Sequence, residues 1–139
     1  MPVLLATEGR TLVSEHSVLI VDRSEETREV LKTALERRGM RIYAASRARR
    51  GLELARRHHP DVIVLDLDAG DSTPEELCAP FAEPSGGQAS RLIVLGGMCH
   101  RRRRPAGGEF VSKPYHYAPL VRRIEELLRW TGQVYARSA

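Results

Sequence analysis

The sequence has little of what defines several common protein classes. Of its 139 residues only two are cysteines, Cys78 and Cys99, which have neither metal-ligand spacing nor the density of a disulfide framework. Aromatic residues make up 5% of the chain, and no apolar run approaches the roughly 20 residues that cross a membrane. The amino terminus also lacks the basic segment that precedes the apolar stretch of a signal peptide. We therefore expect a cytoplasmic protein with reduced thiols and no membrane association.

Positive charge is clustered along the chain, and the formal net charge is +4. The arginine clusters are Arg47, Arg49 and Arg50; Arg56 and Arg57; and Arg101, Arg102, Arg103 and Arg104. No aromatic residues interleave these clusters, so the sequence does not indicate a platform on which bases could stack. We favour solvated helix surfaces and one basic loop, and we keep a nucleic-acid contact as the alternative.

Apolar runs and helical patterns alternate, which predicts an α/β fold with a parallel sheet. The predicted strands are residues 17–21, 41–45, 62–65, 92–95 and 110–112. Helices are expected to begin after Ser24 and after Ser46, a third lies around residues 74–82, and the last ends at Trp130. Little helical pattern separates strands four and five.

The length favours one domain with a sizeable core. We predict that residues 1–16 form an N-terminal arm or hairpin, that residues 17–130 form the domain, and that residues 131–139 form a C-terminal tail. The chain would then be a stand-alone domain.

Three charged residues directly follow predicted strands. Asp22 follows strand one, Asp66 follows strand three, and Lys113 follows strand five. Because doubly wound sheets bind ligands at the carboxyl ends of their strands, we expect these side chains to converge at one edge. The alternative is that the two acids only cap neighbouring helices.

Three segments of the sequence resemble the receiver domain of bacterial response regulators. They are VLIVD at residues 18–22, PDVIVLD at residues 60–66 and FVSKPY at residues 110–115. The resemblance extends over residues 17–130. It implies the flavodoxin-like receiver fold, a doubly wound five-stranded parallel sheet in the order 2-1-3-4-5.

The resemblance also implies a chemistry for the strand-end residues. Asp66 would accept a phosphoryl group from a histidine kinase, and Lys113 would pair with the phosphoryl oxygens. The peptide bond between Lys113 and Pro114 would be cis. Mg²⁺ would be held by Asp22 and Asp66 together with an acid that the family carries beside Asp22.

Arg23 occupies the position of that second acid. At an effective dielectric constant near 20, two unit charges about 4 Å apart interact by roughly 4 kcal/mol, so we expect Mg²⁺ binding to be weak or absent. Asp68 has two alternative roles. It could supply a replacement carboxylate beside Asp22 and Asp66, or it could form a salt bridge with Arg23 in a self-neutralised cluster that includes Lys113.

The sequence departs from the family in two further places. Gly96 stands where the resemblance implies a Thr or Ser that reads the phosphoryl group, whereas Phe110 occupies the position of the switch aromatic residue. The helix between strands four and five is expected to be shortened or missing, and the arginine run at residues 101–104 takes its place.

These features predict a non-enzymatic receiver in phosphorelay signal transduction. Its phosphorylation would be impaired, and it would act through contacts with a histidine kinase or another signalling protein, with a homodimer left open. The alternative is a nucleic-acid-binding protein that uses the arginine run. A small phosphatase with Asp66 as nucleophile is the least favoured, because no second acid–base group is identifiable.

Overall fold

The computed structural model describes residues 16–83, 90–97, 99 and 108–138, and in the last helix it describes side chains as far as residue 129. The strands are β1 (Ser17–Val21), β2 (Arg41–Ala45), β3 (Val62–Asp66), β4 (Arg91–Gly96) and β5 (Glu109–Ser112). The helices are α1 (Glu25–Glu36), α2 (Ala48–His58), α3 (Pro74–Ala82) and α4 (Tyr117–Ser138), and a 3₁₀ turn spans Leu67–Ala69.

The five strands form one parallel sheet in the order β2-β1-β3-β4-β5, which confirms the predicted fold class and strand order. In the centre of the sheet, Val18 of β1 pairs with Ile42 on one side and with Val62 on the other. Every residue of β1 and β3 is buried. This burial explains why both strands are almost continuously apolar in sequence, since helices cover both faces of a parallel sheet.

Each face of the sheet carries its own core. Val18 and Ile20 point into the core formed with α1 and α4, whereas Leu19 and Val21 point into the core formed with α2 and α3. Burying each of these side chains stabilises the fold by about 1.5–3 kcal/mol. On the second face α2 approaches closely at Gly51, where a Cβ atom would lie 2.6 Å from Cγ2 of Val21.

The predicted start of the first helix is confirmed, and the predicted start of the second helix is wrong. The Ser24 hydroxyl accepts a hydrogen bond from the Thr27 main chain at 3.2 Å and caps α1, and Gly39 follows that helix with a φ of 87°. Ser46 does not cap α2. The N-cap is Arg47, whose side chain makes no capping bond. The helix begins at Ala48, which packs against the second core. The start of α2 is therefore determined by packing and not by a hydroxyl cap.

The last helix is longer than predicted. It continues past Trp130 to Ser138. Residues 131–138 contain no proline, and Gly132 alone, at a cost of about 1 kcal/mol relative to alanine, does not end the helix. Residues 1–15 and the arginine run lie outside the described residues, so the N-terminal arm and the shortened helix before β5 stay predictions. None of the helices in the described ranges is both long and apolar enough to cross a bilayer.

Candidate functional site

The carboxyl edge of the sheet forms a cleft of about 770 Å³. Asp22 from the end of β1, Asp66 from the end of β3 and Lys113 from the end of β5 all line it, so the predicted convergence of these residues is confirmed. The other lining residues are Arg23, Ser24, Thr27, Asp68, Pro114, Tyr115 and Tyr117.

Asp22 and Asp66 are held in the cleft by the same local geometry. Asp22 Oδ1 accepts a hydrogen bond from the main-chain N–H of Ser24 at 2.8 Å, and Asp66 Oδ1 accepts one from that of Asp68 at 3.1 Å. An aspartate that bonds to the main chain two residues on forms an Asx turn, and each turn here directly follows a buried strand. Both carboxyl groups are therefore fixed, and the two residues are only 3% and 2% exposed.

Lys113 supplies the positive charge beside Asp66. Its main-chain N–H donates to the carbonyl of Gly96 at 2.8 Å, which places the residue directly after β5 next to the end of β4. The ammonium Nζ lies 2.7 Å from Asp66 Oδ1 and 3.3 Å from Asp68 Oδ2. The peptide bond between Lys113 and Pro114 is cis, as predicted.

These contacts shift two pKa values in the cleft. Burial raises the pKa of Asp22, and the neighbouring charge of Asp66 adds to that, while the hydrogen bond from Ser24 and the charge of Lys113 oppose it. Partial burial lowers the pKa of Lys113, but hydrogen bonds to Asp66 and Asp68 outweigh burial and leave it above its usual value. The lysine therefore stays protonated, whereas ionising Asp22 is costly.

Arg23 and Asp68 do not form the salt bridge that the sequence left open. Asp68 pairs with Lys113 instead, and within the described ranges the exposed Arg23 side chain makes no ion pair. The Arg28 guanidinium of α1 donates to the carbonyls of Asp22 and Arg23, at 2.8 Å and 3.2 Å. This contact fixes the backbone of the loop so that Arg23 lies at the mouth of the cleft.

The donor atoms in the cleft do not match the magnesium site that the family resemblance implies. Magnesium needs near-octahedral oxygen ligands, and in the part of the chain that the structure describes no three acidic, histidine or cysteine side chains form a group that could hold a metal ion. Asp22 and Asp66 each accept a hydrogen bond from a main-chain N–H through one carboxylate oxygen, and Asp68 pairs with Lys113. Arg23 adds a positive charge to the lining of the cleft.

Three hydroxyl side chains in the cleft were missed by sequence reasoning. The Thr27 hydroxyl lies 3.3 Å from the hydroxyl of Tyr117, and the rings of Tyr115 and Tyr117 meet edge to face at 5.8 Å between centroids. Burial raises the pKa of Tyr115 to about 12, and the charge of Asp22 adds to that. The available signal was the presence of two tyrosines, at positions 115 and 117, shortly after Lys113 and Pro114.

Of the two predicted switch positions, Gly96 lies next to Lys113 and Phe110 lies in β5. Gly96 is buried at the end of β4, where it pairs with Ser112 of β5 and offers no hydroxyl group. Phe110 is half-buried and packs against the second core. Their roles in switching stay predictions.

Residues 18–89 match the family of response regulator receiver domains. The chain is 33% identical over 118 residues to the KDP operon transcriptional regulatory protein KdpE of Escherichia coli, an alignment that covers 81% of this chain and 51% of that protein. It is 29% identical over 119 residues to the probable transcriptional regulatory protein TcrX of Mycobacterium tuberculosis, covering 84% and 51%. The chain thus spans about half the length of these curated relatives.

Solved structures give the same assignment. A response regulator receiver modulated diguanylate cyclase from Pelobacter carbinolicus superposes with a TM-score of 0.71 at 27% identity, over 88% of this chain and 98% of that one. The N-terminal receiver domain of RstA from Klebsiella pneumoniae gives a TM-score of 0.65 at 21% identity, over 82% and 99%, and shows the fold alone. With the strand order, the strand-end residues and the family match in agreement, the chain belongs to the response regulator receiver domains of two-component signalling.

Proposed function

We propose that this receiver keeps Asp66 as its phosphoacceptor but has lost efficient Mg²⁺-dependent phosphorylation, and that it signals mainly through protein contacts. The observation that carries the proposal is the position of the protein's own cations. Lys113 Nζ bridges Asp66 and Asp68 at 2.7 Å and 3.3 Å, while Arg23 lies at the mouth of the same cleft.

The charge balance of the cleft supports weak metal binding. Its three carboxylates, Asp22, Asp66 and Asp68, face two protein cations, so one net negative charge is left to attract a divalent ion. Arg23 is one of these two cations, and two unit charges about 4 Å apart interact by roughly 4 kcal/mol at an effective dielectric constant near 20, so its presence in the lining disfavours a bound cation.

Asp66 nevertheless has what a phosphoacceptor requires from the protein. Its buried carboxylate is oriented by a hydrogen bond from the Asp68 main chain. Lys113 lies close enough to Asp66 to pair with the oxygens of a phosphoryl group on it. Phosphoryl transfer depends on positioning and on neutralising the charge of the transferred group. The lysine meets the second need, and without a metal ion it does so alone. Transfer would then be slow.

The partner would be a histidine kinase or another signalling protein. The curated relatives named above are called transcriptional regulatory proteins, and this chain aligns with about half of each. That relation supports a role in controlling the output of a transcriptional regulator. The receiver would pass on its state by changing which protein surface it presents.

Intact-mass analysis after incubation with acetyl phosphate tests the proposal. We expect a slowly formed adduct of one phosphoryl group on the wild-type chain, absent from Asp66→Asn and only weakly dependent on millimolar Mg²⁺. With Mg²⁺ present, Arg23→Asp should form the adduct faster than the wild type. Without Mg²⁺ the two rates should be similar. Rapid, fully Mg²⁺-dependent modification of the wild type would contradict impairment, and an adduct that persists in Asp66→Asn would remove Asp66 from its role.

A further inference from the structure

Helix α2 carries a band of arginines that the receiver site does not use. Arg49, Arg50, Arg56 and Arg57 are all exposed, and at 3.6 residues per turn they fall within about one third of the helix circumference. We call these four residues the α2 arginine stripe. Arg50 pairs with Glu53 at 3.0 Å, whereas in the described part of the chain the other three make no ion pair.

Helix stability does not explain the stripe. Positive charge is favourable in the last turn of a helix, where Arg56 and Arg57 lie, but unfavourable in the first turn. The first turn of α2 holds Arg49 and Arg50 and no acidic residue, and its N-cap Arg47 makes no capping bond. These charges are locally unfavourable, so a role outside folding accounts for them better.

The composition of the stripe fits phosphate groups better than a protein surface. Protein interfaces have an apolar or aromatic centre, and the stripe consists of arginines around a single glutamate, Glu53. The Arg49/Arg50 and Arg56/Arg57 pairs lie about 10.5 Å apart along the helix, comparable to roughly three phosphate spacings of one strand at 3.4 Å of rise along the duplex axis each. Arginine also binds phosphate in a bidentate manner.

We propose that the α2 arginine stripe binds the phosphate backbone of nucleic acid without reading its sequence. The contact lies on an exposed helix face and involves neither Asp66 nor Lys113, so it is independent of the phosphoacceptor site. Each arginine that contacts a phosphate releases condensed counterions, and binding therefore weakens with salt in proportion to the number of contacts.

The test is fluorescence anisotropy of a labelled short DNA duplex of arbitrary sequence, titrated with the full chain at several salt concentrations. The test variant carries Arg49→Gln and Arg56→Gln. The matched control carries Arg122→Gln and Arg129→Gln on α4, which are also exposed, also seven residues apart and also without an ion pair in the described ranges. Both variants lose the same charge, and glutamine has nearly the same helix propensity as arginine.

We expect the test variant to lower the slope of log K against log salt by about 2 and to bind roughly ten-fold more weakly at low salt. The control should change the slope by less than half as much. Equal weakening by both variants, or no binding by the wild-type chain at low salt, would overturn the proposal. Loss of binding only on replacing the arginine run at residues 101–104 would also overturn it. So would binding of polyglutamate but not DNA through the same arginines, which would point to an acidic protein surface.

Discussion

The cleft and the α2 arginine stripe differ in whether their charges are buried and compensated or exposed to solvent. In the cleft the carboxylates of Asp22 and Asp66 are almost fully buried, and a main-chain N–H or Lys113 lies next to each. On α2, like charges lie side by side in solvent, and Arg50–Glu53 is the one ion pair among the described residues there. Buried charge is stable only when it is compensated, whereas exposed charge is screened by water and salt. Charge in the cleft is therefore part of the fold, and charge on α2 is free to serve binding.

Removing the charge of Lys113 should lower the free energy of unfolding far more than removing a charge from the α2 arginine stripe. Lys113→Met leaves Asp66 buried beside Asp22 with no cation in contact. We expect the free energy of unfolding at neutral pH to fall by about 2 kcal/mol, less than for a fully buried ion pair because Lys113 is partly exposed. Urea denaturation followed by circular dichroism measures this.

Arg50→Met is the matched change on α2. It removes an exposed ion pair with Glu53, and we expect a loss below about 0.5 kcal/mol. Equal losses for the two variants would contradict the distinction between structural charge in the cleft and solvated charge on α2.

Asp22→Asn should stabilise the protein by about 1 kcal/mol at neutral pH. The amide oxygen can still accept the hydrogen bond from Ser24, while the cost of a buried charge disappears. Because the folded-state pKa of Asp22 is raised above 3.8, the wild type loses stability as the pH rises through the window between 3.8 and the folded value. The advantage of the variant should therefore vanish below that window. Thermal unfolding across pH would show this, and a variant less stable than the wild type at neutral pH would count against it.

A similarly small effect is expected at the exposed ion pair between β5 and α4. The Arg123 guanidinium donates to Glu109 Oε2 at 2.8 Å, and this hydrogen bonding lowers the pKa of Glu109. A lowered pKa stabilises the fold above the unfolded value and loses that effect as the pH falls through the folded value. Glu109→Gln should cost about 0.5 kcal/mol at neutral pH and nothing in acid. A loss as large as that of Lys113→Met would show that exposure does not decide the strength of these pairs.

The fold and the core of the site could be read from the sequence because both follow from short local patterns. Apolar runs that end in Asp22 and Asp66 specify buried parallel strands, and the carboxyl ends of such strands meet at one edge. The partners of exposed, long side chains could not be read in this way. Lys113 rather than Arg23 pairs with Asp68, and which cation reaches that carboxylate depends on the turn after β5.

The remaining differences also arise from side-chain contacts that local sequence patterns do not specify. Arg28 donates to two main-chain carbonyls of the preceding loop, and the Thr27 hydroxyl meets that of Tyr117 from ninety positions away. Ser46 is a good capping residue in isolation, but the packing of Ala48 starts α2 one residue later. Local propensity is a weak prior wherever tertiary packing decides a boundary.

We propose that Arg23 weakens metal binding in a cleft where Asp66 serves as phosphoacceptor. The most direct test is a Mg²⁺ titration by calorimetry of the wild type, Arg23→Asp and the control Arg56→Asp. The control makes the same charge change at an exposed position in the last turn of α2, away from the cleft. We expect Arg23→Asp to bind Mg²⁺ at least about ten-fold more tightly than the wild type, with the control unchanged. Wild-type binding as tight as that of Arg23→Asp would show that Arg23 does not weaken metal binding.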